Sequence, residues 1–239
     1  MHWDFGIIIL FLGTAVPWLG RRRVRQLMQM PQTTKQDRLL LYASTIAFQW
    51  LAAGVILWRT GAHGISAGSL GFQIPNVGLV VLVSTALAAL ILVNQLVSLH
   101  RISGEPSRKQ GILPELAKKV FPQDVGERLV FFAVVVTVSL CEEIIYRGFA
   151  QYVFLNSLWG SVLAGVLASA ALFSLAHAYQ GKKGIIATFI VGAVFSVVRG
   201  WTGSLVPPIL AHFVADFTAG MLAPSRFRAA AGTSGTEES

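Results

Sequence analysis

Polar residues in this chain are confined to short intervals, and the apolar stretches between them are too long and too continuous for the alternation of a half-buried strand. About 20 apolar residues carry a helix across a bilayer. The runs Phe5–Leu19, Leu39–Trp58, Val77–Leu99, Leu129–Phe154, Leu158–Ala178, Gly184–Val198 and Gly203–Leu222 reach or approach that length. They predict an all-α fold, a polytopic membrane helix bundle of about seven transmembrane helices. Gly184–Val198 is the weakest, being short and rich in glycine and β-branched residues, and Pro207-Pro208 interrupts the last run.

The polar intervals orient the bundle. Arg21, Arg22, Arg23, Arg25, Lys35 and Arg38 lie between the first two runs, and Arg59 alone follows the second. Arg101, Arg108, Lys109, Lys118, Lys119 and Arg128 precede the fourth run, Lys182 and Lys183 follow the fifth, and Arg226 and Arg228 lie in the tail. Cytoplasmic loops hold the Lys and Arg, so the alternation predicts the N-terminus outside and the C-terminus inside. The first run has its arginines after it rather than before, opposite to a secretory signal, and reads as a retained helix. Ile112–Pro122 reads as a short amphipathic helix on the cytoplasmic surface or a basic connector. The expected organisation is N-terminal helices and a loop over 1–124, a catalytic transmembrane core over 125–222 and a disordered cytoplasmic tail over 223–239.

Composition agrees, with 54% hydrophobic and 13% charged residues against about 25% charged in a soluble domain. The net charge of +8 sits in the short loops, which accounts for it by orientation and argues against a nucleic-acid partner. Cys141 is the single cysteine, so no intrachain disulfide forms, and it reads as a packing residue.

Against this background the ionisable residues inside the runs are conspicuous. They are Glu142, Glu143, Arg147, His177, His212 and Asp216. Each such group costs ~2.5–3.5 kcal/mol at the bilayer centre, so it needs a partner or a task. Glu143 and Arg147 are i and i+4, which predicts a structural ion pair along one helix face. Glu142 points about 100° away, on a face with Ser139 and Tyr146, and is left as the free carboxylate. His212 and Asp216 are also i and i+4, so the carboxylate is expected to orient that imidazole. A free glutamate beside two imidazoles can activate a water and stabilise an oxyanion. The same Glu142, His177 and His212 with a water would equally make an open zinc site, although His-Glu-x-x-His is absent.

These residues resemble the motifs of the CPBP intramembrane proteases, which include type II CAAX prenyl endopeptidases and Abi proteins. Glu-Glu-x-x-x-Arg matches Glu142-Glu143-Ile144-Ile145-Tyr146-Arg147, followed by Gly148-Phe149; Phe-x-x-x-His matches Phe173–His177; His-x-x-x-Asn/Asp matches His212–Asp216. The resemblance covers about residues 125–222. It implies a membrane endopeptidase acting near the C-terminus of a membrane-associated protein or lipopeptide, prenylated or not, with the bilayer as its surroundings. It implies Glu142 and His177 activating water, and His212 and Asp216 on the oxyanion side. A metal-free scheme is the expectation, with zinc the alternative. A bacteriocin-immunity or scaffold protein and a proton-coupled transporter are the competing functions, and a prokaryotic plasma membrane is the expected location. Counting along the runs puts Glu142 and His212 near mid-membrane and His177 roughly 10 Å nearer the cytoplasmic end.

Overall fold

The computed structural model describes residues 2–103, 112–157 and 161–233, and their regular structure is helical. The helices are α1 (Trp3–Gln29), α2 (Lys35–Ala62), α3 (Val77–Ser103), α4 (Ile112–Val120), α5 (Val125–Glu142), α6 (Gln151–Ser157), α7 (Val162–Ala176), α8 (Gly181–Thr202) and α9 (Val206–Thr233). A π-helical segment, Glu143–Ala150, joins α5 to α6 without a break, and a 3₁₀ turn, Ala178–Gln180, joins α7 to α8. Each of the seven apolar runs contains a helix among its described residues. Five helical stretches among the described residues are long and apolar enough to cross a membrane: Trp3–Gln29, Lys35–Ala62, Val77–Ser98, Val125–Ser157 and Ala178–Thr202.

Polarity is inverted relative to a soluble protein. Leu40, Leu51, Trp58, Leu129 and Leu163 are exposed, while Glu127, Glu143 and Arg147 are enclosed completely. An apolar exterior on helices that satisfy their own backbone is what hydrocarbon demands. Packing pairs α3 with α9, α7 with α8, and α2 with α5, whereas α1 leans on α7 and the 3₁₀ turn.

Several boundaries differ from those the sequence predicts. The fifth run shrinks to Val162–Ala176, 15 residues, capped by the Ser161 hydroxyl; Leu158, Trp159 and Gly160 lie outside the described residues. The weakest run becomes a helix of 22 residues. Its glycines help it there: a Cβ on Gly192 would stand 3.3 Å from the Ala170 backbone, so the small residue lets α7 and α8 approach. Pro207 and Pro208 do not interrupt a helix, because α9 starts at Val206 and a first turn tolerates proline. Gly203, at φ +68°, ends α8 in the left-handed region.

Arg38 is a second correction. Counted above as a loop charge, it is 4% exposed and grips Glu127 with two hydrogen bonds, Nε to Oε2 at 2.9 Å and Nη2 to Oε1 at 2.7 Å. The pair ties the start of α2 to the start of α5. Thr34 and Asp37 form a reciprocal cap at the first of these, and Asp124 caps the second. The amphipathic segment does form a helix, α4, and Tyr42 donates to its Val120 carbonyl at 2.6 Å. In the tail α9 continues to Thr233 through three alanines, and residues 234–239 lie outside the described residues.

Candidate active site

The six ionisable residues of the runs converge on one place, from α5 and its π-helical continuation, the end of α7, and α9. Glu143 and Arg147 form the expected pair, Nη1 to Oε1 at 2.8 Å, with both side chains wholly enclosed. The Arg147 guanidinium lies over the Phe173 ring at 4.1 Å and near Phe195 at 5.3 Å, so aromatic faces meet the part of the cation that the carboxylate does not.

Glu143 has a second task that the spacing did not reveal. Its Oε1 also accepts from His212 Nδ1 at 2.8 Å. Asp216, the expected orienting partner, is 3.6 Å from His212 Nε2, beyond a good hydrogen bond. The imidazole is therefore oriented across the bundle by Glu143 rather than along its own helix by Asp216. The reason is depth: Glu143 is enclosed, whereas the Asp216 side chain is 40% exposed.

Glu142 faces the other side of the same ring. Its Oε2 lies 3.9 Å from His212 Nε2 and 3.9 Å from His177 Nε2, and it has no hydrogen-bond partner although it is buried. Its Oε1 accepts from Gln49 Nε2 at 2.8 Å. His177 thus stands level with Glu142, correcting the expected 10 Å offset. α7 ends early, and His177 is its C-cap residue, whose Nδ1 bonds the Phe173 carbonyl at 2.9 Å. That bond explains the Phe-x-x-x-His spacing. The last carbonyls of a helix lack partners, and a histidine four residues on reaches back to one of them. With Nδ1 donating there, Nε2 of the neutral ring is left as an acceptor facing Glu142.

The π-helical segment supports this arrangement, and such segments cluster at functional sites. Its Tyr146 carbonyl takes an additional hydrogen bond from Ser169 at 2.7 Å. Gly148 is required by close approach, since a Cβ there would sit 3.2 Å from the Leu70 carbonyl oxygen of the α2–α3 loop. That loop packs against the end of the π-helical segment and the start of α9: Leu205 N–H donates to the Gly71 carbonyl at 3.0 Å, and Leu70 and Leu205 are both buried. On the near side a cavity of about 590 Å³ opens between α1 and α2, with Glu142, Gln49 and His177 in its wall.

Gln49 and the α1 wall are the site residues that sequence reasoning missed. The family-like motifs lie within about 125–222 and mark nothing in the first three runs, but the lone glutamine within Leu39–Trp58 is a usable signal. The zinc alternative fits poorly. Donors on a tetrahedral zinc lie about 3.3 Å apart, given bonds of about 2.0–2.1 Å, whereas Glu142 Oε2 is 3.9 Å from each imidazole. Among the described residues no group of three or more His, Cys, Asp or Glu is arranged to hold a metal.

The profile of a family described as Type II CAAX prenyl endopeptidase Rce1-like matches residues 124–218. An Escherichia coli protein named Uncharacterized 24.3 kDa protein is 33% identical over 95 residues, which are 39% of this chain and 43% of that one. The match thus spans less than half the length of that relative. No solved structure matches the chain. The matched segment contains all six converging residues and, with the apolar helices around it, marks an integral membrane protein. The segment Asp124–Thr218 is thus similar to the type II CAAX prenyl endopeptidase Rce1-like family.

Proposed function

We propose that the protein is an intramembrane endopeptidase that hydrolyses a peptide bond near the C-terminus of a membrane-associated protein, prenylated or not, by water activated at Glu142. The observation that carries this reading is the unpartnered Glu142 Oε2, 3.9 Å from two imidazole nitrogens at the wall of a cavity. These separations exceed a direct hydrogen bond and suit a shared water. The water donates one proton to Glu142 and the other to His177 Nε2. As its oxygen bonds to the scissile carbonyl carbon, Glu142 takes a proton, and that proton later passes to the leaving nitrogen as the C–N bond breaks. His212 in its imidazolium form donates through Nδ1 to Glu143 and presents Nε2–H to the developing oxyanion. Asp216, flanking that nitrogen, contributes negative charge beside the cation. Glu143 and Arg147 hold the frame. No step here uses a metal.

The bilayer, in a prokaryotic plasma membrane with the N-terminus outside, is the proposed setting. The test is cleavage of a labelled C-terminal lipopeptide library by purified protein, with Glu142→Gln and chelator arms. The substitution keeps the Gln49 contact and is expected to lower turnover by about 10²–10⁴-fold, the usual contribution of a general base. Activity should survive chelation, and its loss would reject the metal-free scheme. A Glu142→Gln protein with full activity, or a wild-type protein that cleaves nothing, would return the scaffold or immunity reading.

A further inference from the structure

α1 is a partition between two hollows. One is the cavity that reaches Glu142; the other, of about 570 Å³, lies on the side of α1 that faces the end of α7. Arg22 and Gln26 border both. The second hollow is divided along its length. Gly13, Pro17 and Trp18, with Leu175 of α7, wall it toward the middle of α1, and Arg21, Arg22 and Arg25 stand at its other end. The hydroxyl of Thr14, which also borders it, donates to the Leu10 carbonyl at 2.6 Å and leaves that wall apolar.

The arginine end is built for an anion. Arg21 and Arg25 are i and i+4, Arg22 and Arg25 are i and i+3, and like charges at those spacings repel. The described ion pairs engage Lys35, Arg38, Arg59, Lys118 and Arg147, and none of these three. Among the described residues no acidic side chain borders the hollow. Trp18, exposed beside it, carries the Arg22 guanidinium over its ring at 5.4 Å, an aromatic placed as at a headgroup layer.

Length identifies the occupant. From Gly13 to Arg25 α1 rises about 18 Å, and half of a hydrocarbon core is about 15 Å. The hollow thus runs the depth of one leaflet, from headgroup level to near the midplane. A free phosphate would use only the arginine end and an uncharged lipid only the apolar wall, whereas a phospholipid with net negative charge uses both.

We propose that this hollow binds an anionic phospholipid, its phosphate against Arg21 and Arg25 and one acyl chain along Gly13, Pro17, Trp18 and Leu175. Guanidinium groups form charge-assisted, often bidentate bonds to phosphate, and basic clusters at the membrane edge attract anionic lipid. Because α1 also walls the Glu142 cavity, the lipid braces that wall from behind. The binding does not depend on the peptidase reading.

The full chain is purified in detergent, delipidated and titrated with palmitoyl-oleoyl phosphatidylglycerol or phosphatidylcholine, and bound lipid is counted by native mass spectrometry. The wild-type protein should hold phosphatidylglycerol about tenfold or more tightly than phosphatidylcholine, the size of one charge-assisted bond. Arg21→Gln with Arg25→Gln should abolish that preference. Lys182→Gln with Lys183→Gln removes the same charge from the exposed start of α8 and should leave it intact. Leu175→Trp, which adds bulk to the apolar wall and keeps every arginine, should weaken phosphatidylglycerol binding. Equal retention of the two lipids would overturn the proposal. So would equal losses in the two charge variants, which would reduce the effect to net charge, and full competition by inorganic phosphate, which would leave an anion site without a lipid. Unaltered binding in Leu175→Trp would remove the acyl groove. Hydrogen exchange reads the bracing: phosphatidylglycerol should slow the amides in the last two turns of α1 in the wild type and not in the arginine variant, and equal behaviour of the two would refute it.

Discussion

Glu143 is the residue on which most of the site depends, because one oxygen serves both Arg147 and His212 at 2.8 Å. Removing one member of a buried ion pair strands the other charge, at a cost of about 3–5 kcal/mol. Arg147→Met should therefore lower the unfolding midpoint steeply. Glu143→Gln combined with Arg147→Met should be less destabilised than the sum of the single changes, and strictly additive effects would refute the pairing. The pair was legible in the sequence because it is local, i to i+4 on one helix. The His212 contact was not legible, because 69 residues separate the partners and only the packing of α9 on α5 joins them. Arg38 and Glu127 are a like case. Arg38 reads from the sequence as a loop charge, and its partner lies 89 residues away, so the pairing follows from the meeting of the two helix starts.

At the scale of the element, the π-helical segment and the caps make distinct predictions. Gly148→Ala would press a methyl against the Leu70 carbonyl, whereas Gly54→Ala in α2 meets nothing within 4 Å. The first should lower thermal stability in detergent and the second leave it unchanged or raised; equal effects would remove the close-approach account of Gly148. The α5 cap predicts an acid response. Lys35, 2.8 Å away, and the Glu127 backbone N–H hold the Asp124 carboxyl below its ordinary value of 3.8. A depressed value means stability that is fully present above pH 3.8 and lost as pH falls through the lowered one. Asp124→Asn should flatten that acid limb of a stability–pH curve, and an unchanged limb would show that the cap is not its source. Helix type was legible from run length, but helix ends were not. The early stop of α7 at Ala176 follows from His177 turning back on Phe173, a side-chain event that hydrophobic counting does not register.

For the whole molecule, the orientation inferred from loop charge is open to chemical labelling. Cys141, the only cysteine, is fully buried and stays silent. A cysteine placed at exposed Ser66 should react with a membrane-impermeant maleimide on intact cells, and one at Lys182 only after permeabilisation; the reverse pattern would invert the bundle. The convergence of the six ionisable groups of the apolar runs was foreseeable at this scale, since hydrocarbon leaves such groups nowhere else to go. Which of them touch was decided by the depth of α7 and by a loop, residues 64–76, that no motif marks. That loop has a consequence for traffic. Leu70 and Leu205 are buried on that side, and the cavity with Glu142 in its wall opens between α1 and α2. On the peptidase reading proposed above, two fragments sharing that one mouth would leave as in a queue, and a slow first departure would hold back the second.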